Sequence, residues 1–174
     1  MDSIGVIIVM GVAGSGKTTV GRALASRIGF DYEDADTYHP KANIDKMHAG
    51  IPLTDADRWP WLRAIADAIA AELDHGKHVV VGCSALKRSY RDVLVGGRTD
   101  ARVVYLKGSR ELMAGRLSAR QNHFIAPSLI DSQFAVLEEP TSGEPAVTVD
   151  ADRPVDIIVQ DILDKLDRFR PGSG

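Results

Sequence analysis

Residues 11–18 read GVAGSGKT, and this stretch decides the fold. It matches the phosphate-binding loop pattern GxxxxGK[ST] at every fixed position. An apolar run over residues 4–10 precedes it and predicts a buried strand, and a helical pattern over residues 17–28 follows it. A strand–loop–helix unit of this kind turns backbone N–H groups toward an anion at the positive end of a helix. The alternative, a glycine-rich turn that binds nothing, is disfavoured by the flanking strand and helix.

The residues of this loop predict where a nucleotide triphosphate binds. Lys17 is expected to reach the β- and γ-phosphates and to act in catalysis, and the Thr18 hydroxyl to hold Mg²⁺. Glycine permits backbone dihedrals and a close approach that a side chain would block. The predicted nucleotide-binding residues of the loop are Gly11, Ala13, Gly14, Ser15, Gly16, Lys17, Thr18 and Thr19.

Length and composition bound the class of protein. The chain has 174 residues, a net charge of −3, 44% hydrophobic residues and one cysteine, Cys83. This length suits one domain, predicted over residues 1–170, and residues 171–174 are expected to be a disordered tail. The negative net charge argues against general nucleic-acid binding. A single cysteine forms no internal disulfide and fits a reducing cytoplasm. No apolar run is long enough to span a membrane.

Strand-like and helical patterns alternate along the chain, which predicts an α/β fold with a parallel sheet covered on both faces. Further strands are predicted at residues 30–33, 79–81, 102–106 and 146–149. Further helices are predicted at residues 55–73, 85–94, 111–120, 128–137 and 155–169. Ligands of such sheets bind beyond the carboxyl ends of the strands, so the polar residues that follow each strand are expected to share one site.

Two features favour phosphoryl transfer to a small molecule over nucleotide binding alone. Asp34 and Asp36 follow a predicted strand, where one carboxylate could accept a hydrogen bond from a substrate hydroxyl and the other could orient the water shell of a metal ion. The alternative is a turn and a helix cap. Arg116 and Arg120 lie four residues apart before a polar stretch, which predicts a mobile lid over residues 116–128 that brings cations to the phosphates. The alternative here is a solvated basic helix face.

Several longer strings resemble the gluconate kinase family. They are GVAGSGKTT, DADTYHPKANIDKMHAGIPLTDADRWPWL, CSALKRSYRD, YLKG, RQNHF and SQFAVLEEP, and together they cover about residues 6–154. The resemblance implies a P-loop kinase fold with a five-stranded parallel sheet and a lid. It also implies ATP- and Mg²⁺-dependent phosphorylation of D-gluconate at its 6-hydroxyl, and a homodimer. The lid has Gln121 where lysine is frequent in that family.

For such a substrate, the chain offers candidate residues that suit a carboxylate and a row of hydroxyls. Asp36 is the candidate catalytic carboxylate, Asp34 a candidate metal partner through water, and Arg120 the candidate catalytic arginine. The candidate substrate-binding residues are Asp36, His39, Arg58, Ser84, Lys87, Arg91 and His123. Arg116, Asp152 and Pro154 are candidate nucleotide contacts, because the loop after the last strand is expected to lie along the adenine.

Two alternatives stay open from the sequence. One is a kinase of another small hydroxy acid such as shikimate, which would share the loop and the paired carboxylates. The other is a nucleotide-binding module without transfer chemistry.

Overall fold

A five-stranded parallel sheet forms the centre of the molecule. The computed structural model of the chain describes residues 4–120 and 127–169. The strands are β1 Val6–Met10, β2 Asp31–Asp34, β3 Val79–Gly82, β4 Ala101–Lys107 and β5 Ala146–Asp150. Their order is β2-β3-β1-β4-β5, and all neighbouring pairs are parallel. The predicted five-stranded parallel sheet is confirmed.

Seven α-helices of the described chain flank the sheet. They are α1 Lys17–Ile28, α2 Lys41–His48, α3 Asp55–Asp74, α4 Arg88–Val95, α5 Arg110–Ser118, α6 Pro127–Val136 and α7 Val155–Arg168. A 3-10 helix, Ala35–Tyr38, joins β2 to α2. Thr54 caps α3 in a capping box with Asp57, which explains where that helix begins.

The core has one apolar layer on each face of the sheet. Ile7 of β1 packs in a cluster with Leu24 of α1 and Ile162 of α7. Its neighbour Ile8 points to the opposite face and packs with Leu62 of α3. This alternation is the period of two that a strand imposes, and burial on both faces explains why β1 is apolar throughout. The two layers leave the carboxyl ends of the strands open for a site.

Two helices differ from the predictions. The helix predicted from residue 85 begins at Arg88, because Ala85 has a positive φ of 44° and residues 83–87 form a loop. Helix α2 was not predicted at all. It buries only the polar Asn43 and leaves Ile44 and Met47 exposed, so its sequence lacks the apolar period of a packed helix.

No helix among the described residues is long and apolar enough to cross a membrane. The centre of the predicted lid, with Gln121 and His123, and the predicted tail at 171–174 lie outside the described residues.

Candidate active site

The phosphate-binding loop joins the end of β1 to the start of α1. Gly14 and Gly16 have φ of 84° and 93°, which favour glycine over any other residue. At Gly11 the reason is space: a Cβ there would lie 2.5 Å from the Ser15 Oγ. That hydroxyl is buried and has no hydrogen-bond partner among the described residues. Backbone conformation and close contact, more than side chains, therefore shape this loop.

The amino end of α1 is arranged as an anion site. No acidic residue lies in its first turn, and no side chain caps it. Lys17 Nζ donates to the carbonyls of Gly11 at 3.0 Å and Val12 at 3.1 Å. Burial lowers the pKa of the Lys17 ammonium, although the charge of Asp36 opposes this shift. A partly desolvated cation beside uncapped N–H groups is suited to a phosphate group.

Two side chains from outside the loop hold it in place. Arg116 of α5 donates to the carbonyls of Gly14 at 3.4 Å and Ser15 at 3.3 Å, and also to the Ala151 carbonyl in the loop after β5. Gln133 of α6 accepts a hydrogen bond from the Ala13 N–H at 2.6 Å. Arg116 therefore binds carbonyl oxygens and joins the phosphate loop to the predicted adenine loop. Gln133 was not predicted, since 120 residues separate it from its partner.

The two predicted carboxylates lie where β2 ends. Asp34 caps the 3-10 helix: its Oδ1 accepts from the Asp36 N–H at 2.9 Å, so the predicted alternative of a helix cap describes one of its roles. A carboxylate has a second oxygen for another partner. The Asp36 side chain is 84% exposed. Partial loss of hydration and the like charge of Asp34 raise the pKa of Asp36, whereas His39 and Lys17 oppose the rise. Asp36 is thus a better proton acceptor than an ordinary aspartate.

His39 adjoins Asp36 and is held by a buried set of side chains. Its Nε2 lies 3.9 Å from Asp36 Oδ1, and its ring stacks on Trp61 with centroids 4.2 Å apart. Trp61 in turn donates from Nε1 to the Ala35 carbonyl at 2.8 Å. Asn43 approaches His39 Nδ1 at 3.2 Å. The stacking fixes the plane of the imidazole beside the candidate base.

Tyr90 of α4 lies between two of the predicted cations. The Arg58 guanidinium lies 5.7 Å from the Tyr90 ring centroid, and so does the Lys87 ammonium. The Tyr90 hydroxyl donates to Asp55, which also pairs with Lys87 at 3.3 Å. The charge of Arg58 also acts on His39. This places Arg58 and Lys87 on the same side of the crevice as His39 and Asp36, and it adds Tyr90 and Asp55, which the sequence did not indicate.

Arg91 does not take the role that the sequence suggested. Its side chain is 1% exposed and forms a two-bond ion pair with Glu144, at 2.6 and 3.1 Å. It also donates to the carbonyls of Ala85 and Leu86. Arg91 therefore stabilises the loop after β3 through its bonds to the backbone carbonyls. The prediction that Arg91 binds substrate directly is corrected.

The remaining candidates lie around the same end of the sheet. Ser84 follows β3, whose last residue pairs with Val9 of β1. The charge of Arg120 acts on Lys17, which places it near the phosphate loop. Asp152 and Pro154 are exposed in the loop between β5 and α7.

The metal-ion candidates supply oxygen donors only. In the part of the chain that the structure describes, no group of three or more His, Cys, Asp or Glu side chains is arranged to hold a metal ion. Mg²⁺ commonly binds through one or two protein oxygens together with waters and substrate phosphates. The hydroxyl of Thr18, an exposed residue, and the carboxylate of Asp34 fit that pattern.

Together these features define a class of protein. The glycine-shaped loop and Lys17 are suited to a polyphosphate, and a carboxylate of raised pKa with the cations Arg58 and Lys87 beyond it is suited to a polar, acidic acceptor. The phosphate loop, the parallel sheet and this second site are those of a small-molecule P-loop kinase.

Comparison with known proteins narrows the class. The family model for shikimate kinase matches residues 13–166. The chain is 42% identical to a probable gluconokinase of Mus musculus, over 95% of this chain and 100% of that protein. It is 42% identical to a gluconokinase of Gluconobacter oxydans, over 90% of this chain and 88% of that one. A crystal structure of a gluconokinase from Sinorhizobium meliloti superposes with a TM-score of 0.85 at 45% identity, covering 94% of this chain and 92% of that one.

The chain belongs to the gluconokinase family, within the wider group that the shikimate kinase model describes. The resemblance drawn from the sequence strings and the predicted P-loop kinase fold are both confirmed.

Proposed function

We propose that this protein transfers the γ-phosphoryl group of ATP to the 6-hydroxyl of D-gluconate, giving 6-phospho-D-gluconate and ADP. One observation carries the proposal within the family. The charges of Lys17 and Asp36 act on each other, His39 Nε2 lies 3.9 Å from Asp36 Oδ1, and the charge of Arg58 acts on His39. This order supports a donor site and an acceptor site that adjoin at Asp36, where a hydroxyl would meet the γ-phosphate.

The chemistry follows from this arrangement. As the hydroxyl oxygen of gluconate bonds to the γ-phosphorus, the bond from that phosphorus to the β–γ bridging oxygen breaks and ADP leaves. Asp36 accepts the hydroxyl proton, which its raised pKa favours. Lys17 and Arg120 stabilise the negative charge on the moving group. Thr18, and Asp34 through water, would hold Mg²⁺, which would supply further charge neutralisation.

The far end of the site suits the acid group of gluconate. Arg58 and Lys87 flank the Tyr90 ring, and because Lys87 pairs with Asp55, these three side chains leave one net positive charge at that end. An arginine can bind a carboxylate through two parallel hydrogen bonds, which orients the substrate as well as attracting it. Ser84, His39 and the lid residue His123 are the candidates for the hydroxyl groups.

A coupled ADP-release assay tests this proposal. We expect turnover with gluconate and ATP, and a phosphorus-to-proton NMR correlation on the product should place the phosphate on the terminal CH₂ group. Shikimate is the competing acceptor, because the shikimate kinase model spans most of the chain. Turnover with shikimate and none with gluconate contradicts the acceptor assignment, and ATP binding without turnover on any sugar acid contradicts transfer itself.

The homodimer, the cytoplasmic location and a lid that moves over residues 116–128 stay predictions. Their support is the resemblance to the family together with the single, buried Cys83. Light scattering on the purified protein tests the dimer.

A further inference from the structure

A buried amide lies behind the candidate catalytic residues. Asn43, in the first turn of α2, is 2% exposed. Its Nδ2 donates to the backbone carbonyl of Asp57 at 2.9 Å, and the same nitrogen lies 3.2 Å from His39 Nδ1. A side-chain amide nitrogen carries two hydrogens and no lone pair that accepts, so it can serve both contacts at once.

These contacts determine the orientation of the Asn43 amide. A backbone carbonyl only accepts hydrogen bonds, so the group of Asn43 that faces the Asp57 carbonyl is the NH₂. The same NH₂ then donates to His39, and His39 Nδ1 accepts. In a neutral imidazole, a ring nitrogen that accepts leaves the proton on the other one. His39 therefore carries its proton on Nε2.

The protonated nitrogen faces the candidate base. His39 Nε2 lies 3.9 Å from Asp36 Oδ1, and the stack on Trp61 restrains the ring from turning over. The His39 side chain is only 6% exposed. A shift of roughly 1 Å would bring the pair within ordinary hydrogen-bond distance.

We propose that Asn43 is a positioning residue for the phosphoryl transfer, which holds His39 as the Nε2–H tautomer so that the ring presents a donor to the Asp36 carboxylate. The inference rests on the proposed role of Asp36 as the proton acceptor.

The tautomer matters because a neutral N–H donor orients the carboxylate and lowers its proton affinity less than a charged donor would. When Nε2–H binds one oxygen of Asp36, the other oxygen is aimed at the substrate hydroxyl. A charged imidazolium would lower the proton affinity of Asp36, and the opposite tautomer would set two acceptors against each other. His39 gives up no proton in this scheme, and the proton from the hydroxyl goes to Asp36.

The charges around His39 agree with a neutral ring. Burial lowers the pKa of His39, the charge of Asp36 raises it, and the charge of Arg58 lowers it. The effects of the Asp36 and Arg58 charges on the pKa of the ring therefore oppose each other.

The tautomer can be observed directly in the wild-type enzyme. Two-bond ¹H–¹⁵N NMR spectra distinguish a ring protonated on Nε2 from one protonated on Nδ1, and a His39→Gln sample assigns the signal. We expect the Nε2–H pattern at neutral pH. An Nδ1–H pattern overturns the proposal, whichever substrate the enzyme phosphorylates.

Asn43→Asp replaces the donor by an acceptor of the same shape. The ring should then be protonated on Nδ1, and kcat should fall about tenfold or more while the KM for ATP changes by less than about twofold. Ala42→Asp is the matched control, because it adds the same charge at an exposed neighbouring position of α2. A changed tautomer with unchanged kcat overturns the proposal.

A double-mutant cycle separates positioning from a purely structural role. In the His39→Gln background Asn43 has no imidazole to orient, so Asn43→Asp should lower kcat little further. An equal fall in both backgrounds contradicts the proposal. If Asn43→Asp does not fold, His39→Gln and His39→Leu give the second test: glutamine can place an N–H donor near Asp36 and should retain more kcat than leucine.

The two proposals fail in different ways. If the enzyme phosphorylates another acid and His39 carries its proton on Nε2, the gluconate assignment is wrong but the role of Asn43 is supported. The kcat values of the variants are then measured with that acid.

Discussion

The phosphate loop and the acceptor segment, residues 36–62, are built by different means. The loop depends on glycine conformations, on a close contact at Gly11 and on backbone groups at the start of α1. The acceptor segment depends on side chains that contact one another from separate elements, as His39, Asn43 and Trp61 do. Backbone N–H groups can bind the phosphates of any nucleoside triphosphate, whereas a set of side chains can be specific for one acceptor.

This difference separates two kinds of mutational effect. A change in the loop should weaken ATP binding and turnover together. A change in the acceptor segment should reduce turnover or gluconate binding and leave ATP binding largely unchanged.

Lys17→Ala should have the largest effect. It removes the ammonium that is buried against the Gly11 and Val12 carbonyls and that would neutralise the transferred phosphate. We expect kcat/KM for ATP to fall on the order of a thousandfold, measured by ADP release. Lys41→Ala is the control, since Lys41 is an exposed lysine that pairs with Asp45 on its own helix. Full turnover in Lys17→Ala would contradict the role of the loop.

Arg91→Met should destabilise the protein because it leaves Glu144 buried without its partner. Although burial alone would raise the pKa of Glu144, the Arg91 guanidinium and the Thr141 N–H keep it below its ordinary value. Removing one member of such a pair costs roughly 3–5 kcal/mol, measured by urea unfolding.

Two variants control this experiment. The double variant Arg91→Met, Glu144→Gln should recover much of the loss. Arg88→Met, at an exposed ion pair with Asp92, should cost less than about 1 kcal/mol. A stable Arg91→Met with a raised KM for gluconate would instead favour direct substrate binding.

Arg91 also shows how far the sequence could predict this molecule. The sheet, α1 and the position of the phosphate site follow from local patterns: apolar runs, helical spacing and a loop motif. A sequence pattern does not tell a solvated arginine from a buried one, and the partner of Arg91 lies 53 residues away. The contacts of Gln133 with Ala13 and of Asn43 with Asp57 also depend on tertiary packing. Local sequence patterns therefore locate the site of the phosphate donor, whereas the side-chain contacts of the acceptor site depend on tertiary packing.

Arg58→Gln should weaken gluconate binding without affecting ATP. It removes one of the two charges beside Tyr90. We expect the KM for gluconate to rise about tenfold to a hundredfold, as for the loss of a charged hydrogen bond, with the KM for ATP unchanged. Arg63→Gln is the control, at an exposed position five residues along the same helix. An unchanged KM for gluconate would exclude Arg58 as the carboxylate ligand.

Asp57→Asn should give the smallest effect, on stability against acid. Hydrogen bonds from Lys46 and from the Thr54 backbone lower the pKa of Asp57 to about 2. Because this pKa is lower in the folded chain, the ionised carboxylate stabilises the fold above about pH 4, and this contribution is lost as the pH falls toward 2. Wild type should therefore exceed Asp57→Asn in stability at pH 7 and match it near pH 2. Asp45→Asn, at an exposed ion pair, is the control. An equal difference at both pH values would contradict this role of the carboxylate.

The separation of donor from acceptor is tested most directly at Asp36, where the two sites meet. The measurement is kcat together with the ATP dissociation constant for Asp36→Asn, beside the control Asp31→Asn at the exposed start of β2, the strand that precedes Asp36. We predict that kcat falls on the order of a hundredfold to ten-thousandfold and that ATP binding changes less than about twofold. Wild-type kcat should also decline as the pH falls through the raised pKa of Asp36, above the ordinary aspartate value of 3.8. An unchanged kcat, or a loss of ATP binding in step with kcat, would contradict the account.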